Sequence, residues 1–101
     1  MLVISATVPI RADRRDEAVA AAIEMRRATL EEPGCNAYRF SFAIDDPDLV
    51  CIFEEWIDQA ALDAHFATAH MAAFQAKLAD IVAGAVGATK YEIAASGPLF
   101  G

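Results

Sequence analysis

The chain has 101 residues, of which 56% are hydrophobic, with a formal net charge of −7 and a mean hydropathy of +0.31. That length holds one domain, spanning residues 1–101, and the acidity excludes a nucleic-acid partner, because phosphate binding needs a basic face. No apolar run reaches the ~18 residues that would span a membrane, and the N-terminus enters a strand pattern directly, without a basic leader, so a cytoplasmic location is expected. A body this small hides only about two thirds of its unfolded-chain surface. The apolar excess therefore points to a subunit interface or a ligand cavity.

Leu2 to Pro9 is rich in β-branched residues, with Ile4, Ala6 and Val8 on one face and Ser5 and Thr7 on the other, which predicts the first strand. Pro9 limits it, since proline donates nothing to a ladder. Asp13 is placed to cap the following helix, with Asp16 three residues on. The helix is expected to run to Glu32, with Val19, Ala22, Ile23 and Leu30 as its apolar stripe and Arg14, Arg15, Glu17, Glu24, Arg26, Arg27 and Glu31 mostly solvated. Pro33-Gly34 ends it.

Cys35 to Ile44 alternates with period two, setting Tyr38, Phe40 and Phe42 against Arg39, Ser41 and Ala43. A turn over Asp45 to Asp48 returns the chain as a third strand, Leu49 to Ile57, so the pair forms a hairpin. The favoured register sets the aromatics opposite Ile52 and Glu54. In the structural alternative, Glu54 pairs with Arg39 across the strands.

Asp58 caps a helix in which Leu62, His65 and Phe66 share a face, and Thr68 is a place for a restart. Met71, Phe74, Leu78, Ile81 and Val82 continue at helical spacing. Gly84 and Gly87 break the helix, Gly87 to Ala94 is the last strand, and an apolar tail carries Leu99 and Phe100.

These elements predict a ferredoxin-like α+β fold, βαββαβ, with both helices on one face of a four-stranded antiparallel sheet. Strand three is apolar on both sides, Leu49, Cys51 and Phe53 against Val50 and Ile52. A second copy of the sheet is the economical cover, which predicts a homodimer. Cys35 and Cys51 lie far apart along the hairpin, so two free thiols are expected. Two cysteines and two histidines without zinc-type spacing predict no metal site.

The chemistry-bearing residues concentrate between Phe53 and Phe74. Glu54 and Trp56 share a strand face with Ile52, over a floor of Tyr38, Phe40 and Phe42. His65 and His70 differ by about 140° on a continuous helix and would not chelate one ion; a break near Thr68 brings them together. Histidine titrates near neutrality, so either one suits a general base. Set against this, Trp56 is more often a core side chain than a substrate platform, and either histidine alone is more often a helix cap or a satisfied core residue.

The segment Glu32 to Cys35 (EPGC), Tyr38, the Asp-Pro turn, Glu54-x-Trp56-x-Asp58, Ala61-Leu62, His65, Thr68 and His70 together resemble the antibiotic biosynthesis monooxygenase domain, a dimeric α+β barrel family with quinol monooxygenases among its members. The resemblance covers nearly the whole chain. It implies a cofactor-independent monooxygenase that oxidises a small aromatic quinol or phenol with molecular oxygen. His65 or His70 would be the base and Glu54 would orient it, while Tyr38, Phe40, Ile52, Trp56, Phe66 and Phe74 would line the substrate cavity. An isomerase of a small carbonyl compound, or a non-enzymatic ligand-binding dimer, are the alternatives. The chain departs from the family pattern at Ile52, where some monooxygenases have asparagine, and at Gln75, where haem-degrading relatives have histidine. Haem is therefore not implied, no dinucleotide fingerprint follows a strand, and no cofactor is expected.

Overall fold

The structure, a computed structural model, describes residues 1–101. Its elements are β1 (Leu2–Pro9), a 3-10 turn (Ala12–Arg14), α1 (Arg15–Thr29), β2 (Cys35–Ala43), β3 (Asp46–Trp56), α2 (Gln59–Phe66), α3 (Ala69–Ile81) and β4 (Gly87–Glu92). The strands form one antiparallel sheet in the order β2-β3-β1-β4, the expected ferredoxin-like arrangement. No helix is long and apolar enough to cross a membrane.

Strand alternation decides which residues face the helices. Leu2, Ala6 and Val8 of β1, Tyr38 of β2, and Val50, Ile52 and Trp56 of β3 join Ala18 and Met25 of α1, Leu62 of α2 and Ile81 of α3 in one buried cluster. The hairpin register is the favoured one, pairing Tyr38 with Glu54 and Phe40 with Ile52. Arg39 therefore lies opposite Phe53 on the other face, with its guanidinium over the Phe53 ring. That placement removes the Arg39–Glu54 pairing considered above. The opposite sheet face is uncovered by the chain: Phe53 is 39% exposed, Ser5 and Thr7 are exposed, and Leu49 and Cys51 are half-buried.

Five local expectations are corrected. Asp13 caps nothing: it sits in the 3-10 turn and pairs with Arg11 at 2.9 Å, and α1 begins without a side-chain cap. α1 ends at Thr29, before Glu32, and buries Ala18, Ala21, Met25 and Thr29. The predicted stripe of Val19, Ile23 and Leu30 is instead exposed, because small alanines let the helix approach the sheet and the bulkier residues are turned to its flank. The hairpin turn is Ile44-Asp45, and β3 starts at Asp46 with a register shift between Phe42 and Ala43. The last strand stops at Glu92, and every residue of it is exposed.

Gly34 closes the α1–β2 loop at φ +84°, a left-handed conformation, and its carbonyl accepts from the Ile57 N–H at 2.8 Å. A Cβ there would stand 2.6 Å from Ile57 Cγ2 and 2.7 Å from Ala61 Cβ. Gly34→Ala should therefore destabilise the fold by at least about 1–3 kcal/mol, measured by chemical denaturation. An unchanged midpoint would show that the loop can relax around the added methyl.

Candidate active site

Two local signals place the histidines. Asp58 caps α2 through its Oδ1, which accepts from the Ala61 N–H at 2.8 Å. Thr68 caps α3 by accepting from the Met71 N–H at 3.2 Å, and the same hydroxyl donates to the His65 carbonyl at 2.8 Å. The second helical stretch is thus two helices joined at Ala67-Thr68. The break turns His65, at the end of α2, toward His70, at the start of α3, with ring centroids 6.1 Å apart.

Between them lies Glu32, from the α1–β2 loop, whose side chain is only 11% exposed. One carboxylate oxygen, Oε2, lies 2.7 Å from His65 Nδ1 and 2.7 Å from His70 Nε2. A carboxylate accepts only, so each imidazole donates through the nitrogen facing it. A neutral His65 then carries its proton on Nδ1, which leaves the lone pair on Nε2. That Nε2 is buried and has no hydrogen-bond partner. His65 is 1% exposed, whereas the His70 side chain is 26% exposed.

The rest of the cluster packs against the inner face of His65. Its ring centroid lies 4.7 Å from Trp56 and 5.5 Å from Tyr38. Trp56, with no exposed surface, donates from Nε1 to Glu54 Oε1 at 3.0 Å. Burial pushes the Glu54 carboxyl above its ordinary range, and the Glu32 charge adds to this; the indole hydrogen bond and His65 oppose it without cancelling it. Burial, reinforced by the charge of Glu54, also raises the Tyr38 phenol, which stays protonated. Cys35 is pushed up to about 11, mainly by burial and then by Glu32 and Glu54, so it is no nucleophile at neutral pH.

The candidate residues thus fall into two groups. Glu54, Trp56, Tyr38, His65 and His70 form one contiguous cluster. Phe40 extends it, edge-on to Tyr38 at 5.5 Å and tilted against Phe74 at 5.7 Å. Phe40, Ile52 and Phe74 line a small apolar void of about 20 Å³ under α1 and α3. It shares Ala18, Ala22, Phe40 and Val50 with an open cleft of about 180 Å³ between α1 and β2. Phe66 lies apart: its ring is 5.7 Å from His65 but 57% exposed, outside the inner wall. Glu32 carries the arrangement and was not singled out in the sequence, although it opens the EPGC segment. Its partners are 33 and 38 residues away, which no local pattern reveals.

The ligand atoms of Glu32, His65 and His70 lie within 4.8 Å of one another. Two imidazoles and a carboxylate are a set that divalent transition metals accept, and a metal there would displace the two protons now held in the hydrogen bonds.

Three comparisons bear on this arrangement. The family model described as antibiotic biosynthesis monooxygenase matches residues 1–77. The uncharacterized protein sll1783 of Synechocystis is 29% identical over 93 residues, which cover 92% of this chain and 63% of the relative, so the chain spans under two thirds of that protein's length. YcnE of Bacillus subtilis, provisionally named a monooxygenase, is 24% identical over 92% of this chain and 98% of its own length. A crystal structure described as an antibiotic biosynthesis monooxygenase superposes with a TM-score of 0.88 at 27% identity, covering 94% of this chain and all of that one.

The raised Glu54 carboxyl has a defined pH signature. The folded state holds a proton there that the unfolded chain has already released, in a window that opens near the ordinary carboxyl value of 4.5 and extends upward. This contribution to stability is complete below the window and is lost as pH rises through it. Glu54→Gln keeps an acceptor for Trp56 but does not titrate. Melting temperatures of the two proteins between pH 4 and 7 should show the wild type losing ground to the variant as pH rises; a constant difference would contradict the assignment.

Proposed function

The chain belongs to the antibiotic biosynthesis monooxygenase family, and on that footing we propose that it is a cofactor-independent monooxygenase of a small aromatic quinol or phenol, working as a homodimer. The observation that carries this reading is His65 Nε2, a lone pair buried without a partner while Nδ1 is held by a carboxylate. A buried polar atom left unsatisfied costs stability, and a base oriented by an acid is the arrangement that general-base chemistry requires.

The substrate ring enters by the α1–β2 cleft and reaches the cluster past Phe40. The inner void is too small for a ring, so Phe40 or Phe74 turns aside to admit it. The next inward-facing pair along the strands is Tyr38 and Glu54, where a phenolic hydroxyl meets His65 Nε2. His65 takes the proton, and Glu32 stabilises the imidazolium through Nδ1–H. The electron-rich phenolate then reduces oxygen directly. For a hydroquinone, one oxygen atom enters the ring and the other leaves as water, giving a hydroxyquinone. The quinol supplies all four electrons, so no external reductant is needed. The apolar walls keep the radical pair dry until it collapses.

An isomerase would use the same base but consume no oxygen, so oxygen uptake with a panel of quinols separates the two readings. His65→Ala should lower turnover by about 10²–10⁴-fold in a protein that still folds, with Glu32→Gln falling between it and the wild type. Unchanged turnover in His65→Ala, His70→Ala and the double variant would end the general-base assignment.

The dimer rests on the uncovered sheet face. Phe53, with Leu49 and Cys51, offers an apolar patch that the chain's own helices cannot reach. Phe53→Asp would bury an unpaired charge in that interface, at a cost of several kcal/mol. Sedimentation at micromolar concentration should show the wild type as a dimer and the variant dissociated or unfolded; a folded wild-type monomer would refute the interface.

A further inference from the structure

We infer that the substrate is an aromatic carboxylate, whose acid group is held by Arg26 at the mouth of the α1–β2 cleft; this rests on the cleft being the substrate's entrance. The chain has 15 acidic residues against 8 Lys and Arg, yet Arg15, Arg26 and Arg39 have no carboxylate partner, and of these only Arg26 lines the cleft. Arg11, Arg14 and Arg27 are each bridged to an acid. Arg26 is not. Its Nε donates to the Tyr38 carbonyl at 2.8 Å, which fixes the guanidinium plane against β2 and leaves the two terminal nitrogens for another acceptor.

The surroundings decide what that acceptor is. Arg26 lines the cleft together with Val19 and Ile23 of α1 and Phe40 and Phe42 of β2, and is the only charged residue on its walls. The volume, about 180 Å³, suits a planar ring system. Arg15, which stacks its guanidinium 3.8 Å from the Phe42 ring centroid, is not part of the cleft lining. A neutral ring filling this cleft would strip water from Arg26 and leave a desolvated cation unpaired, which is costly. A carboxylate on that ring replaces the lost water with a fork of two charge-assisted hydrogen bonds. In a molecule of net charge −7, long-range attraction does not recruit anions, so a local cation has to do so. Tyr38 sits between the two functions: its carbonyl anchors Arg26, and its ring packs on His65. An acid group on Arg26 would thus turn the opposite side of the ring inward, toward Glu54 and His65.

Isothermal titration without turnover tests this with two probes of the same ring system, 6-hydroxy-2-naphthoate, whose hydroxyl and acid group lie at opposite ends, and 2-naphthol. The wild type should bind the naphthoate at least about tenfold tighter. Arg26→Gln should weaken the naphthoate to the level of the naphthol and leave naphthol affinity unchanged, which also shows that the variant is folded. Arg26→Lys should keep part of the preference. Equal affinity of the wild type for both probes, or an equal loss of both in Arg26→Gln, overturns the carboxylate assignment and leaves the monooxygenase reading standing. Binding of neither probe overturns the cleft as the substrate's entrance, and this inference with it.

Discussion

One carboxylate oxygen organises the functional half of this molecule. Glu32 Oε2 accepts from both histidines at 2.7 Å, and in doing so ties the α1–β2 loop to the break between α2 and α3. Each end of that tie is set by backbone geometry. The loop end depends on the left-handed Gly34, packed against Ile57 and Ala61. The helix end depends on Thr68, whose hydroxyl stops one helix and starts the next. Neither histidine could face the other on a continuous helix, so the junction is what makes the pair.

Two carboxylates flank His65 in unlike environments. Glu32 is bound by two imidazole donors near the surface, whereas Glu54 lies deeper, with a single indole donor and a burial cost that favours its neutral form. Contrasting surroundings around a pair of acids are how one site assigns different proton-handling roles to the same functional group. Here the contrast runs along the His65 ring: Nδ1 is engaged by Glu32, and Nε2 lies among Tyr38 and Trp56 without a partner.

Much of the fold is legible in the sequence because its signals are local. Period-two alternation marks the strands, and the aromatic positions of β2 fix the register against Ile52 and Glu54. Asp58 and Thr68 announce helix starts through side chains that bond three residues ahead. The expectations that fail are those in which tertiary contact outranks pattern. Helical spacing points to the large residues of α1 as its buried face, but close packing selects Ala18 and Ala21 and turns Val19 and Ile23 outward, where they build a cleft wall. Arg26 is exposed, as its charge predicts, and also bonds the Tyr38 carbonyl through Nε, a contact to the sheet that the helical pattern does not reveal. Glu32 was invisible as a site residue for a plainer reason: a contact spanning more than thirty residues leaves no periodic trace.

Trp56 is the only tryptophan in the chain. It is fully enclosed, its indole nitrogen bonds Glu54, and its ring lies within 5 Å of the His65 ring. An indole in dry surroundings emits at short wavelength, and a nearby imidazolium or a quinone quenches it. The molecule therefore carries its own optical reporter, at the point where proton transfer would occur. Intrinsic fluorescence should follow the arrival of a ring in the cleft as a change on addition of ligand, with no label attached.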